Sequence, residues 1–93
     1  MENNKKVLYS LGFSDDDISE IVEFCPKIEF ADTKRLLTNI NLLINFGYPE
    51  CDLKELFSVN PRILVYNNQE LLEKLNKLGD NIEDKIKKNP HIL

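Results

Sequence analysis

Leu43-Ile44-Asn45-Phe46-Gly47-Tyr48-Pro49-Glu50-Cys51-Asp52-Leu53, then Leu56-Phe57, then Pro61-Arg62-Ile63-Leu64, decides the fold because the chain carries this pattern three times. The earlier copy is Leu8-Tyr9-Ser10-Leu11-Gly12-Phe13-Ser14-Asp15-Asp16-Asp17-Ile18, then Ile21-Val22, then Pro26-Lys27-Ile28. The later copy is Leu75-Asn76-Lys77-Leu78-Gly79-Asp80-Asn81-Ile82, then Ile86, then Pro90-His91-Ile92-Leu93. Gly12 stands 14 positions before Pro26, and Gly47 stands 14 before Pro61. Gly79 stands 11 before Pro90, and the three missing residues fall between Gly79 and Ile82. A recurring unit of roughly 20–50 residues marks a stack of small supersecondary units, none of which buries its apolar face alone.

Each unit reads as helix, tight turn, helix, proline corner. Leu8 and Leu11, Leu43 and Phe46, and Leu75 and Leu78 are spaced i, i+3 on one helical face. Gly12, Gly47 and Gly79 are the only glycines in the chain, and all three follow that face directly. This predicts a left-handed C-terminal turn, which glycine adopts cheaply. Three first-turn signals open the second helices: Ser14 with Asp17, Pro49 with Glu50, and Asp80 with Glu83. Their inner faces are Ile18-Ile21-Val22, Leu53-Leu56-Phe57 and Ile82-Ile86, and Pro26, Pro61 and Pro90 end them. Asp32 and Asn67 then cap helices over Thr33–Phe46 and Asn68–Leu78, with Leu36, Leu37 and Ile40 matching Leu71, Leu72 and Leu75 as inner residues. Lys27–Phe30 and Arg62–Tyr66 read as single 3₁₀-like turns. Phe13, Tyr48, Tyr66 and Cys25 read as packing residues. Ile92 and Leu93 are expected to fold back on the Ile82–Ile86 helix, the rival being that they stay exposed and dock on another chain.

The expected fold is therefore all-α. It is one helical-repeat domain over residues 1–93, a short solenoid of about three units with copies near 5–31, 32–66 and 67–93. The pattern leaves its hand, right or left, open. The 42% hydrophobic content suits one modest core. Cys25 and Cys51 occupy non-equivalent places with no CxxC or Cys/His cluster, so the expectation is a reduced intracellular pair and no metal. No secretion or organelle signal precedes the first unit, and no apolar run is long enough to span a bilayer. The expected state is a cytoplasmic monomer that does not engage membranes.

No glycine-rich phosphate loop, nucleophile elbow or HExxH occurs. Asp15-Asp16-Asp17 lacks EF-hand spacing and reads as a helix cap. His91, the one histidine, has no nucleophile beside it in sequence. These absences point to a non-catalytic binding module with no cofactor. Lys27, Arg62 and His91 each follow a corner proline, so in a stack they form a row able to track phosphates. Lys34, Arg35, Lys54, Lys87 and Lys88 lie on neighbouring helices and complete the candidate set. The competing reading is that this position simply faces water.

The string Leu-Gly-Phe-Ser-acid-x-acid-Ile, two apolar residues three and four positions on, then Pro-x-Ile, resembles the repeat of the mitochondrial transcription termination factor family, and the likeness covers almost the whole chain. The resemblance implies a left-handed superhelix of short helical units with a concave, basic, nucleic-acid-binding surface. This chain is shorter than those factors, carries a net charge of −4 and shows no transit peptide, which points to a small prokaryotic relative. Two partner classes remain: DNA or RNA, favoured by the resemblance, and a protein partner held by a scaffold, favoured by the acidic balance.

Overall fold

The computed structural model describes residues 1–93 and contains helices, turns and no strand. Seven α-helices follow in order: α1 Glu2–Ser10, α2 Asp15–Phe24, α3 Lys27–Phe30, α4 Thr33–Asn45, α5 Leu53–Val59, α6 Asn68–Leu78 and α7 Ile82–Lys88. Three 3₁₀ turns lie at Glu50–Asp52, Pro61–Val65 and Pro90–Ile92. The turn after Pro26 is α-helical rather than 3₁₀, whereas those after Pro61 and Pro90 are 3₁₀.

The glycine turns come out as the spacing predicts. Gly12, Gly47 and Gly79 have φ of +99°, +102° and +70°. In the first two copies the geometry is a Schellman turn: Gly12 N–H donates to Tyr9 and Phe13 N–H to Leu8, as Gly47 donates to Ile44 and Tyr48 to Leu43. The residue after glycine is thereby turned inward, so Phe13 and Tyr48 are buried. The third copy departs. Its shortened turn places Asn81 in the left-handed region at φ +61° as the residue preceding α7, without a side-chain cap. The expected Asp80–Glu83 capping pair is absent for that reason. Pro49 and Glu50 open a 3₁₀ turn rather than an α-helix, and α5 begins three residues later.

The remaining caps form at the expected residues. Ser14 and Asp17 make a reciprocal capping box, with Ser14 N–H 3.0 Å from Asp17 Oδ2 and Asp17 N–H 3.2 Å from Ser14 Oγ. Asp32 accepts from Lys34 N–H, and Asn67 from Gln69 and Glu70 N–H. Packing runs α1 on α4 and α4 on α6, with α2 on α5 and α3 on the Pro61–Val65 turn. One cluster of 20 buried apolar residues runs from Leu8 to Leu93. Leu36 and Leu71 enter it, while Leu37 is exposed and Leu72 half-buried, because α4 directs its Leu36, Ile40 and Leu43 edge inward. Leu93 is buried, whereas Ile92 is 39% exposed, so only one of the two final residues folds back. The longest dimension is 34 Å and the radius of gyration is 12.3 Å.

Candidate nucleic-acid interface

The proline corners are held from behind by asparagines. Asn4 lies on α1, is buried, and donates its amide to the carbonyls of Ile28 (2.8 Å) and Ala31 (2.9 Å). Asn39 on α4 does the same one unit later, donating to Ile63, Leu64 and Tyr66 at 3.1, 3.1 and 2.9 Å. Each amide oxygen accepts from the start of the next helix, Thr33 Oγ1 on Asn4 and Asn68 Nδ2 on Asn39. These pairs stand 35 positions apart, the same shift that separates Gly12 from Gly47. A polar residue recurring within an apolar helical face was the available signal, and the spacing of leucines and glycines did not expose it. At the next corner, Asn60 Nδ2 donates to the Pro90 carbonyl at 3.0 Å.

Between the first two corners lies a groove of about 430 Å³, with Phe24, Pro26, Lys27, Arg62, Tyr66 and Glu70 among the residues that line it. A second depression of about 290 Å³ continues past Lys27 to Phe30, Arg35 and Val65. Lys27 and Val65 belong to both. The structure thus brings Lys27, Arg35 and Arg62 onto one continuous surface, and none of the three takes part in an ion pair. Phe24 and Phe30 flank Lys27 and are 66% and 83% exposed. Neither phenylalanine falls on the inner face read from the sequence, and local spacing does not show that both are left uncovered.

The other candidate cations are placed differently. Lys54, in the first turn of α5, lies 3.5 Å from Asp17 at the start of α2. Lys87 lies 2.7 Å from Asp52 and 2.8 Å from Glu83. Hydrogen bonds from Ser14, with Lys54 adding to them, hold the Asp17 carboxyl below its ordinary pKa. The Lys87 ammonium does the same for Asp52, and the two carboxylates push the Lys87 pKa upward. Lys34 is exposed on the first turn of α4, and Lys88 and His91 are exposed at the third corner. His91 does not join Lys27 and Arg62 in their groove; its backbone N–H donates to Asn89 Oδ1. Tyr66 is tied down on two sides: its hydroxyl donates to the Leu93 carbonyl at 2.6 Å, and Lys74 sits 5.7 Å from its ring centroid.

No group of His, Cys, Asp and Glu side chains is arranged to hold a metal ion, and no helix is long and apolar enough to cross a membrane. No curated protein and no solved structure matches the chain. The family model for mTERF matches residues 1–89. That span takes in all three glycine turns and both asparagine-held corners, and the chain belongs to the mTERF family.

Proposed function

We propose that the chain is a non-catalytic helical-repeat module that binds nucleic acid through the surface around its first two proline corners. Its units, near 5–31, 32–66 and 67–93, form one domain stacked as a short left-handed solenoid, as the family likeness implies. The observation that carries the reading is the groove in which Lys27 and Arg62, from successive corners, share one wall system with no carboxylate paired to either. Arg35 extends it along the same surface. A net charge of −4 does not oppose this, because phosphate responds to the local field rather than the whole-chain sum.

The test is a titration of labelled DNA and RNA, single- and double-stranded, across a salt series. Three phosphate contacts predict log affinity falling with log salt at a slope of about −2 on single strands and about −3 on duplex. Arg62→Glu should weaken binding while leaving the circular dichroism spectrum unchanged, since Arg62 is exposed. Absence of binding to all four at low salt overturns the reading in favour of a protein-binding scaffold.

A further inference from the structure

We infer that the surface selects single-stranded nucleic acid, by stacking unpaired bases on Phe24 and Phe30 while Lys27, Arg35 and Arg62 hold the flanking phosphates. The inference rests on the reading above and adds the ligand class. Phe30 is 83% exposed and Phe24 66%, yet Cys25 and Ile28, between them in the same corner, are buried. At these exposures neither ring contributes much to the core. Aromatic faces presented beside unpaired cations are the elements of a single-strand platform, where each ring takes a base and each cation a phosphate.

The same surface suits a duplex poorly. A duplex keeps its base faces inside the stack, so rings can reach them only after unstacking. Duplex affinity must then come from phosphate contacts, and this surface offers three cations with Glu70 beside them. Phe24 and Phe30 have valines at the equivalent places of the second copy, Val59 and Val65. The stacking element therefore belongs to the first corner alone, which limits the footprint to the few nucleotides that span Phe24, Lys27 and Phe30.

The experiment compares one short oligonucleotide, as DNA and as RNA, with its duplex and with an abasic strand of equal phosphate count. The single strand should bind at least 10-fold tighter than both. Stacking predicts a 5- to 160-fold loss on the single strand for each of Phe24→Ala and Phe30→Ala, with duplex binding unchanged. Phe30→Ala serves as the control for folding, since a ring this exposed contributes little to the core. Equal affinity for the abasic strand, or duplex binding that matches the single strand, overturns the stacking inference and leaves nucleic-acid binding standing. Loss of all binding to every probe overturns both.

Discussion

Two sets of lysines and arginines of similar sequence character end up in opposite circumstances. At the corners, Lys27, Arg35 and Arg62 face a groove with no carboxylate paired to them. At the starts of α2 and α5, Asp17 and Asp52 are each paired with a lysine from the following unit, Lys54 and Lys87. The two acids occupy the same repeat position, one residue before Ile18 and Leu53. Positive charge at that end ties one unit to the next, and positive charge at the corners stays unpaired. Of the eight cationic candidates, Lys54 and Lys87 are paired across units, Lys27, Arg35 and Arg62 lie unpaired on one surface, and Lys34, Lys88 and His91 lie outside it.

The largest effect should come from removing what holds a corner in place. Asn39→Ala leaves the carbonyls of Ile63, Leu64 and Tyr66 without their shared donor. A buried polar group stripped of its partner costs about 1–3 kcal/mol, and with some water reaching the site the sum should be about 3 kcal/mol. Asn4→Ala strips two carbonyls and should cost about 2 kcal/mol by the same rule. Urea unfolding of both variants gives the comparison. A loss below about 1 kcal/mol for Asn39→Ala means the corner is held by packing rather than by its asparagine.

Next in size is the effect on ligand. Each phosphate contact on a single strand contributes about 5-fold at 0.1 M salt, so Lys27→Ala with Arg62→Ala should weaken binding about 25-fold. Lys54→Ala with Lys87→Ala should leave affinity unchanged, because those ammonium groups are already occupied by carboxylates. Equal losses from the two double variants would erase the distinction between the two ends.

The fold was legible because it rests on signals that are local and repeated. Glycine at one place per unit, capping residues after each turn and leucines at helical spacing are short-range features, and the helix over Asn68–Leu78 appears at its expected bounds. Failures cluster where the repeat was broken or where tertiary contact decides. In the shortened third turn the residue preceding α7 is Asn81 rather than Asp80, and it is left-handed. The repeat alignment with Leu72 makes Leu37 an inner residue, but α4 turns it outward. The candidate surface was half legible. Lys27 and Arg62 follow from their place after the prolines and Arg35 from its place at the start of the next helix, but no local rule shows that Phe24 and Phe30 are left uncovered or that Lys54 and Lys87 find acids 37 and 35 residues away.

A smaller and purely conformational effect belongs to the glycine turns. Gly47→Ala should cost about 1 kcal/mol. At φ +102° a Cβ would meet no atom within 4 Å, so the cost lies in the backbone and not in a clash. Gly12→Ala differs, because its Cβ would touch Lys54 Cδ at 3.7 Å. That contact is ordinary in distance, so equal thermal shifts for the two are expected, and a larger shift at Gly12 would show that the Lys54 stem is fixed by its bond to Asp17.

The smallest expected effect tests the paired ends directly. Exposed ion pairs of this kind are screened by water and stabilise little, so Lys54→Ala should lower Tm only slightly. The acid response is the sharper measurement. Asp17 and Asp52 have depressed pKa values in the folded chain. The unfolded chain therefore takes up protons first as pH falls, and the contribution of both carboxylates is complete above about pH 4 and is lost as pH drops through their folded values. Lys87 has the opposite sign: its raised pKa gives a contribution present below the ordinary lysine range and lost only in strong alkali. Tm should thus be flat from about pH 5 to 8 and fall below about pH 4. In Asp17→Asn with Asp52→Asn that fall should be shallower, because two groups that must be protonated on unfolding are gone. An unchanged acid limb in the double variant would mean the lysines at this end join the units through their aliphatic stems, and that charge pairing does not distinguish them from the free cations at the corners.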